Sequence, residues 1–210
     1  MYKLWAFVRQ SLIRIYLFFA KLVYKLSGGK RPKTLFCQKA NAEHIGTRVR
    51  VVSSDKYSTT IAKFDADGNM SDEDFVILTG TDLHLDHGME NNEKTVERFV
   101  RHIKDIKPDL IVLTGDIILT DTQQTDAIQF AQMMEKLGIY WTAVFGNHEV
   151  REERGFYKYL LLKDFADYEH CLCKLGPDEL FGYGNYTVNI LGKGGRLRRT
   201  LFFFDSGRNI

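Results

Sequence analysis

Five residues of this chain have the types and spacing to do chemistry: Asp82, His84, Asp116, Asn147 and His148. They fall in three motifs, Asp82-Leu83-His84, Gly115-Asp116 and Gly146-Asn147-His148-Glu149. Carboxylate, imidazole and amide oxygen together suit a pair of divalent cations. Two such cations about 3.5–4 Å apart can clamp a phosphoryl group and acidify a bound water. The pair needs one carboxylate between them. Asp116 is the candidate, because it follows the central of three motif-bearing segments. Asp82 and His84, two residues apart on an extended segment, can both reach the first cation. Asn147 would give the second a neutral oxygen and so limit the negative charge of the site. His148 can bind phosphate or protonate a leaving oxygen. Glu149 reads as a residue that orients His148 or caps a helix.

Something must hold these side chains at one place. Each motif follows a short apolar run: FVILT at 75–79, LIVLT at 110–114 and YWTAVF at 140–145. Runs of this length, bounded by Gly or Pro and separated by helical stretches, predict buried parallel strands. Open α/β sheets build their sites at the carboxyl ends of such strands. Between the runs, Asn91 and Asn92 can cap a helix to about Lys107, with Val96, Phe99, Val100 and Ile103 on its apolar face and Pro108 stopping it. A second helix is predicted over about 122–137, with Asp121 as N-cap and Gly138 as C-cap, and a third over 156–168. Strands are predicted at 48–53, 183–191 and 197–204, with 58–64 as partner to the first. The order βαβαβ followed by β-rich sequence implies a layered α/β domain. The segment Asp65-Ala66-Asp67-Gly68-Asn69 has the composition of a calcium loop. Its Gly falls at the fourth position and Val76 at the twelfth, so it reads as a solvated turn.

Hydrophobic residues at 44% and charged residues at 27% place the chain among globular proteins. The net charge of +2 hides an asymmetry. Residues 1–42 hold nine Lys or Arg and no acid, and the rest holds 20 basic and 27 acidic side chains. The body has no basic stripe with interleaved aromatics, so nucleic-acid binding is not indicated. Two of the three cysteines form a Cys171-Leu172-Cys173 pair without a second Cys/His pair to answer it, which predicts free thiols rather than a disulfide framework or zinc site. A reducing cytoplasmic setting fits.

The longest apolar run of the N-terminal segment is residues 15–20, far short of the roughly 20 residues that span a bilayer. On a helical wheel Lys3, Arg14, Lys21 and Lys25 share a stripe, with Trp5, Leu12, Tyr16, Phe19, Val23 and Leu26 opposite. That pattern suits a helix lying on an anionic membrane surface through residues 1–33, and two readings compete with it: a poor signal-anchor and a helix packed on a partner. The expected organisation is a basic segment and linker at 1–40 and an α/β body at 41–210, the protein being cytoplasmic and peripheral at, or anchored to, the membrane.

The motifs DLH, GD and GNHE, in this order and spacing, resemble those of the calcineurin-like metallophosphoesterases, and the segment Pro108 to Asp116 is especially similar. The resemblance covers about residues 72–206. It implies a four-layer αββα sandwich with a dinuclear site of Fe, Mn or Zn acting on a phosphate mono- or diester through a metal-bound hydroxide. It also implies that Asp82, His84 and Asp116 bind the first metal, that Asp116 and Asn147 bind the second, and that His148 contacts the phosphate. In the family a later His and a Gly-His-x-His motif complete the site. No His follows His170 here, and Gly-His is absent from the sequence. The chain therefore resembles the first part of such an enzyme. The alternatives are a truncated, non-catalytic, membrane-associated member, or a fragment whose site a second chain completes.

Overall fold

The computed structural model describes residues 42–85, 91–119, 123–149 and 157–207. The N-terminal segment, Cys37, Asp86, His87 and the predicted cap Asp121 lie outside the described residues.

The element order is β1 (Val49–Ser54), β2 (Ser58–Lys63), β3 (Ile77–Gly80), α1 (Asn91–Ile106), β4 (Leu110–Leu113), α2 (Gln123–Leu137), β5 (Trp141–Ala143), α3 (Tyr157–Ala166), β6 (Tyr186–Leu191) and β7 (Leu197–Phe203). The three motif-bearing runs form one parallel sheet in the order β3-β4-β5. Strand β4 is buried at all four positions, as a β-branched run covered on both faces should be. The expectation that all three runs are buried fails at β3. Its pattern alternates exposed and half-buried, and Ile77 is 37% exposed. The reason is its place at one end of the sheet. At the other end the segment 170–172 covers β5, through Trp141 N–H to His170 O at 2.9 Å and Leu172 N–H to Trp141 O at 2.8 Å.

Helix α1 turns Val96, Val100 and Ile103 into the core. It ends where Lys107 takes a left-handed conformation (φ 50°) and donates its N–H to Ile103 O, with Pro108 next. Phe130 of α2 stacks on Phe99 of α1 and meets the edge of Trp141, which in turn packs on Phe165 of α3. The next residue of β5, Thr142, points the other way and bonds the Tyr186 hydroxyl of β6 at 2.6 Å. The parallel sheet therefore has helices on one face and a second sheet on the other.

That second sheet has the order β1-β2-β6-β7. Strands β1 and β2 pair, as predicted, and the pairing is antiparallel, as is that of β6 and β7 around the turn at 193–195. The centre of the sheet is a parallel pairing of β2 with β6, Ser58 opposite Thr187 and Ala62 opposite Leu191. Helices, parallel sheet and mixed sheet make three of the expected layers; a helical layer on the far face of the mixed sheet is not among the described residues. Two buried polar ties join the sheets. Lys63 Nζ of β2 donates to Asp109 Oδ2 (2.9 Å), just before β4, and to Asp74 O (2.8 Å). The Tyr186 hydroxyl donates to Ala143 O (2.6 Å), so Thr142 Oγ1 is left to donate to it. Burial pushes the Tyr186 hydroxyl pKa up, which keeps that proton in place.

Candidate metal centre

Past their last regular residues, β3 and β4 stay joined by backbone hydrogen bonds. Asp82 N–H donates to Gly115 O, His84 N–H to Asp116 O and Leu85 N–H to Ile117 O, at 3.1, 2.9 and 2.9 Å. The backbone here is unusual. Among the described residues four non-glycines have positive φ, and three of them are Asp82 (55°), His84 (46°) and Asp116 (52°). L residues adopt this region at a cost of about 1–2 kcal/mol, and such residues gather at functional sites. Here they turn three candidate ligands out of the strand direction and toward one another.

The result is a compact cluster. One ligand atom each from His84, Asp116 and His148 lie within 4.8 Å of one another. The His84 and His148 ring centroids are 4.9 Å apart, edge to face. His84 Nε2 is 3.4 Å from Asp82 Oδ1 and 3.6 Å from Asp116 Oδ2. Among the described residues this buried nitrogen has no hydrogen-bond partner. Those distances are too long for good N–H···O bonds. They are close to the ~3.4 Å that separates two tetrahedral ligands each about 2.1 Å from a shared cation. An orphaned imidazole nitrogen facing two carboxylates is what the proposed metal requires of these residues.

Asp82 is exposed and takes a hydrogen bond from Thr81 Oγ1 at 2.6 Å. Asn147 is exposed, one residue before His148. Asp116 is only half-buried, and its Oδ1 accepts the His148 backbone N–H at 2.9 Å. This contact needs glycine at 146: a Cβ there would lie 2.2 Å from Asp116 Oδ1. Gly115 is backed against the same residue, since its Cβ would meet Gly146 N at 2.8 Å, and its φ of +117° is one that side chains rarely adopt. The two glycines of the GD and GNHE motifs thus let two turns touch.

Glu149 has a different task from those expected of it. It is fully buried. Its carboxylate accepts the backbone N–H groups of Asp116, Ile117, Ile118 and Gly146. Burial pushes its pKa up, and the hydrogen bonds from Ile118, Gly146 and Ile117 oppose that. The sequence showed an acid beside His148 but not that four donors would converge on it.

Among the described residues the other histidines, His44, His102 and His170, stay outside the cluster. His170 Nδ1 pairs with Glu135 Oε1 at 2.7 Å, and His102 is exposed. Cys171 and Cys173 are free, as expected, and burial pushes the Cys171 thiol pKa well up. Asp65 closes a local turn by accepting the N–H groups of Asp67 and Asn69, in keeping with a solvated turn.

The carboxyl edge of a parallel α/β sheet thus carries a carboxylate–histidine cluster whose ligand atoms are close enough to share a metal ion. The sequence model of the calcineurin-like phosphoesterase family matches residues 75–208, and the chain belongs to that family. The match covers all three motifs and runs through β7. No curated protein matches the chain. The chain thus carries a metal-dependent phosphoesterase domain.

Proposed function

We propose that this protein hydrolyses a phosphate mono- or diester with two cations held by Asp82, His84, Asp116 and Asn147. The observation that carries the reading is the convergence of His84, Asp116 and His148 within 4.8 Å at the ends of three successive strands. Divalent or trivalent ions of Mn, Fe or Zn, when bound, supply the positive charge that polarises a phosphoryl oxygen and lowers the pKa of an attacking water. The rest is done by the chain. Asp116 lies centrally, with Oδ1 fixed on the His148 N–H and Oδ2 toward His84. Asp82 and Asn147 are exposed, within reach of solvent and of a substrate. A ring nitrogen of His148 holds the proton that the leaving oxygen takes. The 4.8 Å cluster also favours a second role for His148, as a direct ligand.

Metal content and turnover of p-nitrophenyl phosphate and its diester test the reading, wild type beside Asp116→Asn and His148→Asn. Asp116→Asn should lose both metal and turnover; retained turnover would sink the assignment. His148→Asn should keep its metal and lose turnover if His148 is a proton donor, and lose metal if it is a ligand. A wild-type chain without metal would make the site incomplete by itself and favour the alternative of a second, His-bearing polypeptide.

The membrane contact is a separate proposal, on the basic residues 1–33. Among the described residues no helix is long and apolar enough to cross a membrane. The full chain should bind anionic vesicles, release them as salt rises, and lose the binding when 1–33 are deleted. Unchanged binding after the deletion would refute it.

A further inference from the structure

Glu149 is fully buried, and nothing in the hydrolytic reading uses its carboxylate. Its four hydrogen bonds have a definite division. Oε1 accepts Ile117 N–H at 2.5 Å and Ile118 N–H at 2.9 Å, both in the turn after β4. Oε2 accepts Asp116 N–H at 3.1 Å and Gly146 N–H at 2.7 Å, so it joins the turn after β4 to the turn after β5. The bond in the opposite direction comes from Asp116, whose Oδ1 accepts the His148 N–H. Two carboxylates therefore fasten the turns reciprocally, each taking backbone donors from the other's loop. Two ionised oxygens offer about four lone-pair sites, and all are filled, which leaves no coordination for a cation.

This matters because Asp116 sits at φ 52°, a conformation it does not favour by itself. The glycines at 115 and 146 permit the turns to touch but hold nothing. We infer that Glu149 is a positioning residue of the metal centre, holding the Asp116 backbone in its left-handed conformation and so aiming the carboxylate at His84 and His148. The inference rests on the metal-centre reading above.

The replacement Glu149→Gln separates this role from plain structural support. One amide oxygen can serve one pair of donors, and the amide N–H₂ then faces the other. The probe is Co²⁺ alone, followed by calorimetry and by its visible absorption spectrum. Asp109→Asn is the control: Asp109 is also buried and accepts a backbone N–H, from Val76 at 2.8 Å, but it lies at the opposite end of β4. Glu149→Gln should bind Co²⁺ about 10–100-fold more weakly, with an altered spectrum, the range usual for groups that orient metal ligands. Asp109→Asn should keep wild-type affinity and spectrum even where it loses as much thermal stability. Equal Co²⁺ affinity and an unchanged spectrum in Glu149→Gln would overturn the inference. So would a loss matched by Asp109→Asn. If Glu149→Gln does not fold, Glu149→Asp replaces it: the charge is kept but the reach is one carbon shorter, and wild-type binding there would equally overturn the inference. A wild-type chain that binds no Co²⁺ would overturn the reading that this chain holds its metals by itself, and the inferred role of Glu149 in it.

Discussion

The two sheets of this molecule differ in how much of them is buried, although each has an exposed end strand. In the parallel sheet β4 and β5 are buried at every position, between helices on one side and the mixed sheet on the other. In the mixed sheet the outer strands are largely exposed. Only Val49 of β1 is buried, and Phe202 of β7, stacked on Phe204 just past its end, stands 65% exposed, with Phe204 at 64%. The parallel sheet also carries the strained backbone at Asp82, His84 and Asp116. Strain of that kind persists only where the surroundings over-determine it. The rigid sheet can hold a tense site at its edge, while the mixed sheet serves as the layer that closes the core behind it.

The largest effect on this contrast should come from the tie between the sheets. Lys63→Met leaves the Asp109 carboxylate buried without its cation, and breaking such a pair costs about 3–5 kcal/mol. Urea unfolding should show a stability loss of that size; a loss below about 1 kcal/mol would mean that the Lys63–Asp109 pair does little to hold the sheets together. Next comes Gly146→Ala, whose methyl group must displace Asp116 Oδ1. It should cost about 1–3 kcal/mol and also abolish metal retention. Gly194→Ala, in the β6–β7 turn, meets nothing within 4 Å but has φ +67°. It should cost only the backbone strain, about 1 kcal/mol, and leave metal content unchanged. If both glycine variants lose metal equally, the site is not localised as described. The smallest effect is expected at the exposed aromatics. Phe202→Ser with Phe204→Ser should stay within about 0.5 kcal/mol of wild type by urea unfolding. A larger loss would show that the outer face of β7 is covered in solution.

The site was more legible in the sequence than the sheet beside it. DLH, GD and GNHE each follow an apolar run, and a parallel sheet brings the ends of successive runs together, so proximity of the motifs follows from the pattern. The helix over 91–106 was legible from Val96, Val100 and Ile103, and its end from Pro108. Strand β1 was harder. Its alternation of Arg and Val marked it as a strand, but not that Val51 and Val52 would both be exposed at the sheet edge, where the register shifts between Val51 and Ser53. The exposure of β3 was hidden for a related reason: an apolar run does not say whether its strand is central or terminal.

The sequence by itself determined the chemistry: residue types, their order, and the glycines that permit tight turns are local properties carried by three short motifs. Only the tertiary structure decided how the chemistry is held. The pairing of β2 with β6 joins segments more than 120 residues apart, the Lys63–Asp109 bridge crosses between sheets, and Glu149 collects donors from two loops. Each of these contacts depends on which distant groups burial brings within hydrogen-bonding range, and no periodicity along the chain records that.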